Sequence, residues 1–368
     1  MFCYIHIPFC ESKCKYCRFA SFWNIQEKSI EKYVDFLCSG IDTSQISDTL
    51  LESIYFWWGT PSTLTSEQIE RIIITLKNHS LFSEDIEITL ESTPNKISES
   101  TVLHWKNIGV NRLSIWVQSL NSKALYAIGR HDKGDILNAI KIIEKVWFDN
   151  VSVDFIIGLP HVQKWECKKD IEYILTHFPF IKHVSVYMLE DYYNTTDDDS
   201  SKFQSVTYPN DWNHLWISED DYEEEYFSIA TFLENAWFHR YEISNFARDK
   251  YECKHNIAYW NHSEVLAFGL WASWFLNRKR YTYSEDFISF YNHENIFEEY
   301  LTKEDVFLET ILFWLRTRGL SADIYKKLNA EKIEYFIQQK LLYKHTDKTL
   351  KLTHKWVLLL DYIIKEII

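Results

Sequence analysis

Cys10, Cys14 and Cys17 form a C-x3-C-x2-C cluster in a short polar loop that includes Glu11-Ser12-Lys13. Three thiolates at this spacing can each take one iron of a [4Fe–4S] cluster and leave the fourth iron open to a small ligand. Zinc fits less well. A closed structural zinc site takes four ligands, usually as two C-x2-C halves, and Cys3, Cys38, Cys167 and Cys253 are scattered. Further along the chain, polar residues follow or end each β-like run: Gly59-Thr60-Pro61-Ser62, Glu91, Gln118, and Asp154 ahead of Gly158-Leu159-Pro160. One such residue is ordinarily a cap or a turn. A succession of them beyond a cysteine cluster describes a ligand site.

The elements that must carry these groups follow from patterning. Six β-branched or aromatic runs read as strands: Phe2–Ile7, Ser53–Trp57, Asp85–Leu90, Arg112–Trp116, Val151–Ile156 and His183–Met188. Helical periodicity fills the intervals, at Glu27–Cys38, Ser66–Asn78, Ser98–Asn107, Asn121–Val146 and Trp165–His177. Strands alternating with helices imply an α/β fold with parallel strands and right-handed crossovers. Six units are too few for a closed eight-stranded barrel. The expected fold is a partial (β/α)6 TIM-like barrel, with a doubly wound sheet as the alternative. In a barrel the C-terminal strand ends form the mouth of the site, where the polar residues fall.

Beyond the sixth strand, Asn194–Asn210 reads as a solvated loop and Asp211–Ala236 as helical with an acidic face. Thr302–Ile368 reads as a small helical, winged-helix-like domain containing a short strand at Leu350–Thr353. The expected organisation is a barrel over 1–200, an extension over 201–300 and a C-terminal domain over 301–368.

The chain has 368 residues, 46% hydrophobic and 25% charged, with a net charge of −14. An acidic chain without a basic stripe does not favour nucleic acid as its main partner. No apolar run reaches the roughly 18 residues of a membrane span, and Met1–Pro8 has no signal-peptide pattern. The expectation is a cytoplasmic protein without stable membrane insertion.

Tyr4-Ile5-His6-Ile7-Pro8-Phe9-Cys10 through Cys17 resembles the radical S-adenosylmethionine (SAM) superfamily, in the branch of oxygen-independent coproporphyrinogen III oxidases and HemW-type heme chaperones. The likeness continues through Arg112-Leu113-Ser114-Ile115 with Val117-Gln118-Ser119, and through Tyr241-Glu242-Ile243-Ser244-Asn245-Phe246. It implies a radical SAM barrel in which Cys10, Cys14 and Cys17 ligate a [4Fe–4S] cluster whose open iron is chelated by SAM. Gly59 and Thr60 would run along the methionine part. Glu91 and Arg130 would meet its charged groups, Gln118 and Asp154 the ribose, and Tyr4 and Tyr16 would flank cluster and cofactor. His255-Asn256-Ile257-Ala258-Tyr259-Trp260 matches the H-N-x-x-Y-W motif of the chaperones, which implies heme contact by His255, Tyr259 and Trp260. The oxidases carry another Cys two residues past the last ligand, where this chain has Phe19. The resemblance thus favours a heme carrier that serves an acceptor protein over an enzyme that decarboxylates a porphyrinogen.

Glycine is anomalous. The chain has 8 Gly and 15 Trp, where about 26 Gly is ordinary for this length. Members of the resembling family have Gly-Gly-Gly-Thr-Pro where Trp57-Trp58-Gly59-Thr60-Pro61 stands, and Gly at the positions of Trp116, Trp147, Trp237, Trp271, Trp314 and Trp356. Trp23, Trp165, Trp216 and Trp274 are further candidates. The pattern implies a reassigned stop codon meant as glycine and rendered as tryptophan. Trp260, inside the motif, is expected to be genuine, and Trp105 and Trp212 are unsorted.

Overall fold

The computed structural model describes residues 1–17, 21–44, 46–130, 134–189, 218–294, 296–353 and 359–368. Its first half is six consecutive strand–helix units. In chain order these are β1 (Phe2–His6), α1 (Glu27–Thr43), β2 (Leu50–Trp57), α2 (Ser66–His79), β3 (Leu81–Ser92), α3 (Glu99–Asn107), β4 (Arg112–Gln118), α4 (Ser122–Ala127), α5 (Ile136–Lys145), β5 (Asn150–Ile157), α6 (Glu166–His177) and β6 (His183–Met188). The strands pair in parallel in sequence order from β1 to β6. This is the α/β partial barrel that the alternation of elements implies.

Strand alternation sorts the side chains. Cys3 and Ile5 join the large core with Tyr33 and Val34 of α1, whereas Tyr4 faces the interior with Trp57, Trp58 and Tyr259 around it. Helix starts follow capping chemistry: Thr65 and Gln68 form a reciprocal capping box on α2, and Ser98 caps α3. The single helix expected over Asn121–Val146 is instead two. Between α4 and α5 the backbone turns through left-handed residues at Gly129 (φ 89°) and Gly134 (φ 65°), which no continuous helix accommodates.

The second half extends the same sheet at both edges. After α7 (Glu219–Asn235), the short strands β7 (His239–Arg240) and β8 (Asn245–Ala247) run antiparallel beyond β6. Helix α8 (Lys254–Trp260) leads to β9 (Val265–Phe268), which pairs in parallel with β1. From there β10 (Ser273–Leu276), β11 (Lys279–Thr282), α9 (Phe287–Tyr291) and β12 (Phe297–Tyr300) complete a twelve-stranded sheet by an antiparallel meander. These edge strands were not legible in the sequence. The tail folds as α10 (Lys303–Arg316), α11 (Ala322–Tyr325), α12 (Ala330–Gln338), β13 (Leu342–Lys344), β14 (Leu350–Leu352) and α13 (Leu360–Ile367), with β13 and β14 a hairpin. Phe19, the loop read over Asn194–Asn210, the boundary at 200, Trp212, Trp216 and Trp356 lie outside the described residues.

Candidate iron–sulfur and cofactor site

A cavity of about 510 Å³ opens at the C-terminal ends of the parallel strands. The loop after β1 forms one wall of it. Cys10 N–H donates to Phe22 O (2.9 Å) and Phe22 N–H donates to Pro8 O (2.7 Å), which closes the loop base. Lys15 N–H donates to Ile128 O (2.9 Å), and Ser12 Oγ donates to Gly129 O (3.1 Å), fastening the cysteine loop to the turn after α4. Glu11 takes Asn95 Nδ2 and the Lys96 ammonium on the far side.

Cys10, Cys14 and Cys17 all line the cavity, as the spacing requires. Cys17 N–H donates to Cys14 O at 3.0 Å, a tight turn between the last two thiols. Thr60 Oγ1 donates to Cys10 Sγ at 3.6 Å, and burial pushes the Cys10 thiol up to about 12. Among the described residues no three His, Cys, Asp or Glu side chains converge on a single ion. Thiolates on separate irons of a cluster have no need to converge. A soft all-thiolate donor set in one loop beside an open cavity fits a [4Fe–4S] cluster with a free iron.

The second strand end delivers Gly59 and Thr60. Thr60 N–H donates to Phe9 O (2.7 Å), and a Cβ on Gly59 would sit 2.2 Å from Ile7 O and 2.9 Å from Phe9 N. Only glycine fits this crossing of two backbones. At the end of β3, Glu91 Oε1 accepts from Tyr55 OH (3.1 Å). Burial, reinforced by Asp154, holds its carboxyl well above the ordinary range. Asp154 itself accepts from Ser114 Oγ (2.9 Å) and Ser152 Oγ (3.0 Å), and burial raises it against these bonds. Both carboxyls are shifted toward the neutral form, and a cationic ligand beside them would favour their ionisation.

Gln118 sits in left-handed conformation (φ 64°), where the β4–β5 register slips. Its Nε2 donates to Tyr16 OH, while its Oε1 is buried without a partner. That orphaned acceptor on the cavity wall suits a ligand hydroxyl. Arg130 is buried, with its guanidinium 5.3 Å from the centre of the Trp116 ring.

Every cluster and cofactor residue expected from the sequence lines this cavity except Tyr4. Tyr4 lies one layer below. Its hydroxyl is 2.6 Å from His6 Nδ1 and its ring meets Trp57 edge-on at 6.2 Å. The structure sets it beneath the cavity wall and not on it. Sequence reasoning also missed Tyr187, Met188 and Leu189, which complete the lining from the end of β6; the strand-end rule applied to β6 would have found them. Four indoles join them, those of Trp57, Trp58, Trp116 and Trp271. Trp57 and Trp58 stack at 4.9 Å and 8° beside Gly59, so the turn expected to be free of side chains carries two of the largest.

The H-N-x-x-Y-W segment does not reach this cavity. It is α8, which plugs the barrel interior lower down. Glu87 receives Cys253 Sγ–H (3.4 Å) and the N–H groups of Lys254 (3.2 Å) and His255 (3.4 Å), neutralising the helix start. His255 is fully buried, with Nδ1 2.7 Å from Ser53 Oγ and its ring packed on Tyr55 and Tyr259. Burial, with Arg112 nearby, pushes this imidazole down to about 3. Trp260 lies under the Arg316 guanidinium (4.8 Å) and edge-on to Phe313. The structure thus places His255, Tyr259 and Trp260 on α8 inside the barrel, away from the cavity that holds the cysteines.

A family model for the radical SAM superfamily matches residues 4–174. The heme chaperone HemW of Lactococcus lactis is 30% identical over 356 residues, spanning 92% of this chain and 90% of that protein. The heme chaperone HemW of Bacillus subtilis is 30% identical over 282 residues, 75% of this chain and 71% of its own. The solved structure of the radical SAM enzyme coproporphyrinogen III oxidase (HemN) from Escherichia coli superposes with a TM-score of 0.79. It does so over 99% of this chain and 88% of its own at 19% identity, a likeness of fold. The superfamily implies a [4Fe–4S] cluster and SAM, and the cavity carries the thiols for the first. Among the described residues no helix is long and apolar enough to cross a membrane. With a HemW protein matched along nine-tenths of both chains, this chain belongs to the radical SAM superfamily and, within it, to the HemW family.

Proposed function

We propose that this protein binds heme and passes it to an acceptor protein, with Cys10, Cys14 and Cys17 holding a [4Fe–4S] cluster in the barrel mouth. The observation that carries the reading is the relation to the Lactococcus lactis heme chaperone along 92% of this chain. When bound, the cluster supplies an iron with one open coordination position. The chain's own residues do the rest. The loop fastened through Ser12 and Lys15 fixes the thiols, Glu91 and Asp154 offer carboxyls to a cationic ligand, and Gln118 offers an amide oxygen.

His255, Tyr259 and Trp260 remain the candidate heme contacts, on condition that α8 leaves the interior. Its attachments are the Glu87 cap, the Ser53–His255 bond, the Lys254–Asp85 ion pair, a bond from Cys253 N–H to Tyr241 OH, and ring packing that includes Trp260 on Arg316 and Phe313. A neutral imidazole is the form that ligates iron, and it is the form in which His255 is stored inside the barrel.

The test is anaerobic reconstitution with iron and sulfide followed by heme titration, wild type against His255→Ala. One-to-one uptake that weakens at least tenfold in the variant supports heme carriage and its site. Specific uptake that is unchanged in the variant keeps the carrier and discards this site. No specific uptake rejects the carrier, and porphyrinogen decarboxylation becomes the activity to assay.

A further inference from the structure

Five tryptophans among the described residues have left-handed backbone: Trp58 (φ 62°), Trp147 (54°), Trp165 (71°), Trp237 (65°) and Trp271 (59°). Among the described residues no tyrosine or phenylalanine does, although the chain has 23 Tyr and 24 Phe. Steric conflict between Cβ and the backbone in this region applies to all three aromatic types. Their sorting is therefore a property of the positions and not of aromatic side chains.

The positions are those glycine serves. Helix α5 ends with Trp147 N–H donating to Glu144 O (2.9 Å) and Phe148 N–H to Ile143 O (3.3 Å). Helix α7 ends with Trp237 N–H donating to Glu234 O (3.0 Å) and Phe238 N–H to Leu233 O (2.9 Å). The same pair of bonds closes α3 at Gly109 and α4 at Gly129. This closure wants glycine, or a polar residue that tolerates left-handed backbone, at its pivot. The polar pivots His262, His293 and Lys340 close other helices here. Trp147 and Trp237 are 85% and 86% exposed, so their indoles gain no burial in exchange for the conformation. Trp58 adjoins Gly59, also left-handed, and Trp271 lies two residues after Gly269 in the turn between β9 and β10. Trp165 begins α6 without a side-chain cap.

We infer that the native chain carries glycine at positions 58, 147, 165, 237 and 271, and that 58 and 271 belong to a glycine-lined stretch of the barrel mouth. Trp165, only a secondary candidate in the sequence, joins the set on its backbone. Trp57, Trp116 and Trp314 have ordinary strand or helix backbone and stand outside it. Trp105, 1% exposed in the core of α3, is genuine. Trp260 and Trp274 likewise have ordinary helix and strand backbone and are expected to be tryptophan. The inference holds whether or not the protein carries heme, because it rests on backbone conformation alone.

The test is peptide mass spectrometry of the protein purified from its source organism, with the gene sequenced alongside. Peptides covering positions 58, 147, 165, 237 and 271 should each be lighter by one indolylmethyl group per site. Those covering 105, 260 and 274 should have the tryptophan mass, and the gene should use a different codon for the two sets. Tryptophan mass at the five positions, or one shared codon for both sets, overturns the inference. Heme titration of the same sample reads the proposed function separately.

Discussion

Replacing Trp147 and Trp237 by glycine should stabilise the protein, against the usual rule that shortening an aromatic side chain costs stability. Left-handed backbone costs a residue with a Cβ about 1–2 kcal/mol. Glycine returns this and loses about 0.5–1 kcal/mol through its freer unfolded chain. Little apolar burial is forfeited, since the two side chains are 85% and 86% exposed. The net gain is about 0.5–1 kcal/mol per site. The sites close different helices and their closing bonds share no residue, so the double variant should gain about 1–2 kcal/mol, a factor of roughly 5–30 in the folded-to-unfolded ratio. Urea unfolding followed by far-UV circular dichroism should show a higher midpoint with an unchanged slope. Trp105→Gly is the internal control. That ring is 1% exposed within a helix, and its loss should cost about 3–5 kcal/mol for the cavity and about 1 more for helical glycine. A lower midpoint in the Trp147/Trp237 double variant, or tolerance of Trp105→Gly, would refute the reasoning.

Cys10→Ser, Cys14→Ser and Cys17→Ser should each lose most of the visible iron–sulfur absorption after anaerobic reconstitution, whereas Cys38→Ser should keep it; a Cys14 variant with full absorption would remove that thiol from the ligand set. Burial holds the folded Glu91 carboxyl well above its ordinary value of 4.5. Stability is therefore lost as pH rises past 4.5, where the unfolded chain ionises and the folded site does not. Glu91→Gln should accordingly raise the urea midpoint at pH 7 and change it little at pH 4; equal effects at both would exclude a buried neutral acid. His255 works in the opposite direction, since its folded value is pushed down to about 3 from 6.5. Its contribution is present above pH 6.5 and is lost as pH falls from there towards 3, at up to about 1.4 kcal/mol per pH unit. His255→Gln should flatten the acid limb of the stability profile by that slope, and a profile parallel to wild type would show that His255 protonates in the folded state.

What was legible in the sequence was the parallel half, where strands alternate with helices and polar residues collect at strand ends. The edge strands β9–β12 were not, because four-residue strands in a meander carry too little periodicity to stand out. Register explains which side chains reach the cavity. Asp154 lies three residues before the end of β5 and still lines the cavity. The side chains beside it are Ser114, Ser152 and Ser185, short enough for the cavity to descend to its level. Tyr4 lies on β1 with the Trp57 ring edge-on against it, which closes that side. Of the two, Asp154 therefore reaches the cavity wall and Tyr4 stays beneath it, and the bulk of Trp57 on the neighbouring strand makes the difference. His255 is a related case. A histidine followed by two aromatic residues is equally suited to gripping a macrocycle and to plugging a barrel, and residue type alone does not choose. The choice is made by Glu87 and Ser53, more than 150 positions earlier in the chain, which hold the start of α8 inside the barrel. A contact of that range has no local signature in the sequence, and the state of α8 decides whether the motif is a lock or a binding face.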